Sequence, residues 1–263
     1  MRTEQISQRI AVTGATGRVG SQLVEVLAQR GHDVVAIARS KGVDVVSGEG
    51  LDEALVGVET IIDTATGPSP NQEEATAFFT ASARNLQRAG AAAGAKRIVV
   101  VSIIGIDKFH GGYNAAKVAQ EQTLLEGPLP VRIVRAAQFH EFVDPLVGWT
   151  IQDGVAHVPE MRTQLVAAHV VAEALADAAE EPEIEYGRIT EVAGPREERL
   201  ADAAAALFAS RGDSIEIREG RGGPLAEPDD PDAAAYAEGA ALPNPGAKLA
   251  GPSFEEWLAT TRA

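Results

Sequence analysis

Over the first 140 residues, short continuously apolar runs alternate with longer stretches whose apolar residues recur at helical spacing. Residues 9–13 ("RIAVT"), 33–38 ("DVVAIA"), 60–65 ("TIIDTA"), 96–102 ("KRIVVVS") and 131–136 ("VRIVRA") read as buried strands. Between the first two, Val19, Leu23, Val26 and Leu27 share one helical face, and Gly31 is placed to end that helix in a left-handed conformation. A short apolar segment follows at 43–46 ("VDVV"), then a helix is predicted at 51–58. An Ala-rich helix is predicted over 73–93, and another from near Tyr113 to the break at "GPLP" (127–130). After Phe139 the pattern loosens. It predicts a strand at 154–159, a helix at 167–180, a strand at 187–194 and a helix at 196–212 closed by Gly212. The alternating run at 214–219 predicts a half-exposed strand. Residues 220–250, rich in Gly, Pro, Asp and Ala, read as a loop-dominated stretch. No repeat with a fixed period is present.

Strands that are apolar throughout belong in a parallel sheet covered on both faces. The expected architecture is therefore α/β and doubly wound, with the sheet in residues 1–140 rejoined by 164–194. A smaller region, 140–163 and 195–263, is expected to cover the strand ends. Composition narrows the chemistry. With 45% hydrophobic and only 5% aromatic residues, the core is built from Ala, Val, Leu and Ile. There is no cysteine, which excludes disulfides, thiolate metal sites and a cysteine nucleophile, and fits a reducing cytoplasm. The start, "MRTEQISQRI", lacks the apolar core of a signal peptide, and "IVVVSIIGI" (98–106) is too short to span a bilayer. The net charge of −15 opposes binding to nucleic acid or an anionic membrane. Residues 171–263 hold 20 acids and 8 bases, a net of −12, and read as a solvated acidic surface.

One loop changes the picture from fold to chemistry. "AVTGATGRVG" (11–20) sets Gly14, Gly17 and Gly20 three apart, directly after a strand and at the start of a helix. Gly14 allows the tight turn, Gly17 lets the backbone approach a pyrophosphate, and Gly20 lets the helix pack close to the sheet. The N–H groups of the first helical turn then bind the phosphates. The sheet is accordingly Rossmann-type. An acid at the end of the second strand would suit the ribose hydroxyls of NAD, but that strand ends in Ala38, Arg39, Ser40 and Lys41. A guanidinium and a hydroxyl suit a 2′-phosphate, with Arg18 as a second cation, so NADP(H) is expected over NAD(H).

The sequence resembles the short-chain dehydrogenase/reductases, and within them the atypical, NmrA-like NAD(P)H-binding proteins. The likeness rests on "TGATGRVG" and the "ARS" strand end. Further matches are "VVVSIIGID" (99–107), "YNAAKVAQE" (113–121), "RAAQF" (135–139), "VAGP" (192–195) and "GPSFEEWLA" (251–259). The resemblance implies that Gly14, Thr16, Gly17, Arg18, Val19 and Gly20 line the pyrophosphate, and that Arg39 and Ser40 hold the adenosine phosphate. It places Thr64, Ala65 and Thr66 against the adenine-side ribose and the nicotinamide half. Ser102, Ala136, Ala137 and Gln138 then lie near the nicotinamide. It also implies a catalytic set of Ser102, Tyr113 as proton donor and Lys117 as ribose anchor, the last two four apart and therefore on one helix face. The family's catalytic serine falls one or two residues after the first serine of an "SS" run. Here Ser102 is followed by Ile103 and Ile104.

Phe139, His140 and Phe142 are candidates for the substrate side, with Trp149 as a further wall, although packing alone also explains the aromatics. His110 lies in glycine-rich "HGGYN" (110–114), which reads as a plain loop or the edge of a substrate entrance. His32, His157 and His169 show no metal-ligand spacing, and "PDDPD" (228–232) lacks the glycine and glutamate of a calcium loop, so no metal is expected. The reading is an NADPH-dependent oxidoreductase acting on a small apolar carbonyl or quinone, with no nucleic acid or membrane partner. The alternative is a regulator that binds NADP(H) without turnover and acts through a protein partner.

Overall fold

The computed structural model describes residues 7–182, 187–220 and 232–261. The chain divides into two compact units. One is Met1–Ser102 with Ala115–Val134 and Val171–Thr190; the other is Ile103–Asn114 with Arg135–Val170 and Glu191–Ala263.

The leading strand β1 (Arg9–Thr13) runs through the glycine loop into α1 (Arg18–Gln29), and β2 (Asp33–Ile37) follows. Between α1 and β2, Gly31 takes φ +86°, and the N–H of His32 donates to the carbonyl of Leu27, so the helix stops where the glycine was expected to stop it. A short α2 (Leu51–Ala54) precedes β3 (Thr60–Asp63). The long α3 (Gln72–Ala93) starts at Asn71, whose side chain accepts from the N–H groups of Glu73 and Glu74, and ends at left-handed Gly94. Next come β4 (Arg97–Ile103), α4 (Gly112–Leu125) and β5 (Val131–Ala136). The remainder holds α5 (His140–Gly148), β6 (Ile151–Gln152), β7 (Val155–Pro159), β8 (Arg162–Thr163), α6 (Ala168–Glu180) and β9 (Arg188–Ala193). It closes with β10 (Glu198–Arg199), α7 (Leu200–Arg211), β11 (Glu216–Gly220), α8 (Ala233–Ala237), β12 (Lys248–Leu249) and α9 (Phe254–Thr260).

Seven strands form one parallel sheet in the order β12-β9-β5-β4-β3-β1-β2. Strand β1 pairs with β2 on one side and β3 on the other, Thr13 lying opposite Ile37 and Asp63. The order reverses there, and in open parallel sheets such a switch point opens a crevice outside the carboxyl ends of the strands. In the first unit the apolar core gathers Ile61, Ile98, Val100, Ile133 and Leu86. In the second, Val143, Val158, Leu165, Leu207 and Phe254 form another, beside a small sheet of order β11-β7-β6.

The differences from the sequence reading have local causes. Residues 43–46 pair with no strand among the described residues. The Asp44 carboxylate accepts from the N–H of Val46 at 2.7 Å, and Asn85 Nδ2 donates to the carbonyls of Val45 and Val46, so these backbone groups are already engaged. The helix expected at 196–212 starts only at Leu200, because Glu198 and Arg199 pair antiparallel with Thr163 and Arg162. The stretch 220–250 is not all loop: α8 and β12 lie in it, and Ala-rich "AAAYA" is strong helix former. Residues 221–231, with Asp229 and Asp230, lie outside the described residues. The unforeseen α9 carries a capping box, Ser253 with Glu256, which "SFEE" does announce. Among the described residues, no helix is long and apolar enough to cross a membrane.

Candidate nucleotide site

The glycine loop is closed by its own backbone. Gly14 has φ +66°, and its carbonyl accepts from the N–H of Gly17 at 2.8 Å. A Cβ on Gly14 would lie 2.7 Å from the Thr64 carbonyl oxygen, and one on Gly20 would lie 2.2 Å from that of Gly14. Both positions therefore exclude any side chain. Gly17 caps α1 with no side-chain hydrogen bond, and the first-turn N–H groups of a helix have no intrahelical partner. Thr16, Gly17 and Arg18 are exposed, whereas Val19 and Gly20 are buried.

The neighbouring strand ends carry the other predicted groups of the first unit. After β2, Arg39–Lys41 form one turn of 3-10 helix; Arg39, Ser40 and Lys41 are exposed, and neither cation has an ion pair among the described residues. After β3, Thr64 and Ala65 are half-buried and Thr66 is exposed. Thr64 Oγ1 donates to the Thr13 carbonyl at 2.6 Å. Asp63, wholly buried, accepts from the Thr13 hydroxyl, from the Ala65 N–H at 3.1 Å and from Gln120 Nε2 at 2.9 Å. Sequence reasoning missed Asp63 and Gln120. A carboxylate at the end of an otherwise apolar strand was the available signal for Asp63.

Helix α4 carries half-buried Tyr113 and, one turn on, Lys117. Lys117 is 5% exposed. Its Nζ donates to the Val101 carbonyl at 2.8 Å and to Gln120 Oε1, and lies 4.7 Å from the centre of the Phe79 ring. Burial pushes the ammonium down to about 8, while Asp63 and Glu121 act in the other direction. Ser102 is also buried, and its hydroxyl has no hydrogen-bond partner among the described residues. Ile104, which follows it, is buried and Ile103 half-buried.

In the second unit, Ala136 ends β5 and is buried. The N–H of Ala137 donates to the Val192 carbonyl at 3.0 Å, and the carbonyl of half-buried Gln138 accepts from Val166 N–H at 3.0 Å. Phe139 caps α5, and Phe142 meets exposed Trp149 edge to face at 5.5 Å.

His140 is 1% exposed, its Nε2 is 3.1 Å from the Pro252 carbonyl, and its Nδ1 has no partner among the described residues. Its ring lies 5.4 Å from that of Phe254 and 5.5 Å from that of Trp257. Burial pushes the imidazole down from 6.5 to about 4; the Pro252 carbonyl opposes this and His169 adds to it. A depressed folded pKa means that the unfolded chain takes up the proton first on acidification. The corresponding stability is therefore complete above pH 6.5 and is lost as pH falls towards 4, by about 3 kcal/mol. Urea unfolding at pH 7.5 and 4.5 should show this loss, and His140→Phe should remove it. An unchanged acid slope in the variant contradicts the assignment.

A family model described as NAD(P)H-binding matches residues 14–182, well over half of the chain. The chain belongs to the NAD(P)H-binding family. This NAD(P)H-binding protein is similar to the 4-hydroxy-tetrahydrodipicolinate reductase of Natronomonas pharaonis, at 30% identity over 164 residues, 61% of this chain and 56% of that one. The chain spans about half the length, or less, of the curated relatives it matches. Its fold is that of MoeE5, solved with UDP-glucose and NAD, at TM-score 0.72 and 19% identity over 96% of both chains. It is also that of the dTDP-4-dehydrorhamnose reductase of Bacillus anthracis, solved with NADP. There the TM-score is 0.70 and the identity 19%, over 97% of this chain and 98% of that one.

The residues of this NAD(P)H-binding protein fit a dinucleotide. The loop at Gly14, Gly17 and Gly20 is a cradle whose floor rejects a Cβ at two of its three glycines, and its exposed rim offers first-turn N–H groups to a diphosphate. The cations after β2 are available for a further phosphate, and the Ser102 hydroxyl retains unused hydrogen-bonding capacity. Among the described residues no group of side chains is arranged to hold a metal ion.

Proposed function

We propose that this protein is an NADPH-dependent oxidoreductase that reduces a small, mostly apolar carbonyl or quinone. The observation that carries the reading is α4, which sets a phenol and a buried ammonium one turn apart in a chain of the NAD(P)H-binding family. A nicotinamide nucleotide held there would supply the hydride for the carbonyl carbon. Tyr113 donates the balancing proton to the carbonyl oxygen. The positive charge of Lys117, one turn along, stabilises the phenolate left behind. Two of its three N–H donors are engaged by Val101 and Gln120, which leaves one for a ribose hydroxyl. Arg39 and Ser40 hold the 2′-phosphate, and the glycine loop holds the diphosphate.

The test is loss of NADPH absorbance at 340 nm with the purified protein and a panel of quinones and ketones, together with calorimetry on both nicotinamide nucleotides. NADPH should bind more tightly than NADH. Arg39→Ala should weaken NADPH at least tenfold and leave NADH within twofold; equal losses defeat the cofactor assignment. A second reading, nucleotide sensing without turnover, is favoured by Ile103 and Ile104 after Ser102, where a hydroxyl would polarise the substrate. Tight NADPH binding with no oxidation on any acceptor selects it.

A further inference from the structure

We infer that Asp63 and Gln120 are positioning residues for Lys117, which they hold in place and balance in charge from the end of β3. The inference deepens the hydride-transfer reading and rests on it for its catalytic meaning.

Lys117, Gln120 and Asp63 are all buried, and each is hydrogen-bonded to the next. The Gln120 amide has one orientation that satisfies both neighbours. Its oxygen accepts from the ammonium, and its N–H₂ donates to Asp63 Oδ2. Asp63 Oδ1 is meanwhile occupied by the Thr13 hydroxyl and the Ala65 N–H, at the two strand ends that flank the glycine loop. Thr64, between Asp63 and Ala65, bonds Thr13 and meets the space above Gly20. One chain of hydrogen bonds thus runs from the floor of the nucleotide loop to the ammonium.

The charge balance has a simple cause. A lysine this deeply buried loses its proton more readily, and an unbalanced cation is costly there. The groups facing it are Asp63 from β3, Glu121 from α4, the Val101 carbonyl from β4 and the Phe79 ring from α3. Asp63 is the carboxylate wired to it through Gln120. An amide at position 63 removes the negative charge and cannot accept from all three donors. With its oxygen towards Gln120, the Ala65 N–H loses its acceptor; with its N–H₂ towards Gln120, two N–H₂ groups oppose each other, and turning the Gln120 amide over would set N–H₂ against the ammonium.

The experiment follows the lysine itself in nucleotide-free protein. With ¹³Cε-lysine labelling, the five lysines of the chain are titrated by NMR from pH 6 to 11, and Lys117→Met assigns the signal. The wild-type Lys117 midpoint is expected near 8. In Asp63→Asn it should fall by at least one pH unit, a tenfold loss of proton affinity. Gln120→Met, which breaks only the link, should lower it in the same direction, and it decides alone where Asp63→Asn does not fold. The inference is overturned by a wild-type midpoint near the ordinary 10.5, or by variants that titrate with the wild type. In turnover, the alkaline limb of the kcat profile should move down with the lysine midpoint, which a purely structural role would not produce. If no nicotinamide nucleotide binds at all, the functional reading fails, while the lysine titration still stands or falls by itself.

Discussion

Gly20→Ala should lower the thermal stability of the nucleotide-free protein by about 8 °C and weaken NADPH binding more than a hundredfold. The Cβ it adds would lie 2.2 Å from the Gly14 carbonyl oxygen, 2.8 Å from that carbonyl carbon and 2.7 Å from Thr64 Oγ1. Two of these three atoms are backbone, so a rotamer change cannot relieve the contact. Either α1 moves away from β1 or the turn at Gly14 opens. Overpacking of this kind costs about 1–3 kcal/mol, and the upper end applies where backbone must move. For a chain of this size, each kcal/mol lowers the midpoint by about 2–4 °C. Gly17→Ala provides the contrast. Its Cβ would meet only the Gly14 carbonyl, at 3.2 Å, and its backbone at φ −80°, ψ 176° suits any residue. That variant should melt within about 2 °C of wild type and still lose at least tenfold in NADPH affinity, because its methyl stands on the exposed rim where a diphosphate must approach. Differential scanning fluorimetry and calorimetry on both variants check the pair. A Gly20→Ala protein with wild-type melting and affinity would remove the close-packing argument.

Tyr113→Phe should lower the rate of ketone reduction by about 10²- to 10⁴-fold, the usual contribution of a positioned proton donor. NADPH affinity should stay within twofold, since the phenol is assigned to the acceptor and the nucleotide is held elsewhere. A quinone should show a smaller loss. Its reduction leans less on a buried acid, so the ratio of the two losses reports how much proton donation each acceptor requires. Stopped-flow absorbance at 340 nm with saturating NADPH gives the chemical step directly. Equal ketone rates in the wild type and the variant would take the proton-donor role away from Tyr113.

Most of the sheet was legible because it is written locally. The five strands between residues 9 and 136 are continuous apolar runs, and the structure places them within a residue or two of the predicted bounds. Strand β3 departs most, stopping at Asp63, two residues early. The glycine loop was equally plain, since the residues that define it are adjacent in the chain. The helix α5 was not legible, because "HEFVDPLVG" carries Pro145 inside it and lacks a capping side chain. The segment at 43–46 had a strand's composition, yet the Asp44 carboxylate and the distant Asn85 took its backbone groups. His140 looked available at the end of an apolar strand, and α9, more than a hundred residues on, buries it.

The sequence by itself determined the alternation of strand and helix, the dinucleotide turn and the spacing of Tyr113 and Lys117. These depend on near neighbours, on side-chain periodicity and on glycine's freedom at φ +66°. Only the tertiary structure decided what Lys117 touches. Gln120 meets Asp63 across 57 residues of chain, and Asp63 meets Thr13 across 50. A hydrogen bond between buried groups is specified by which strand ends and helix faces the fold brings together. Residue spacing along the chain carries no record of that.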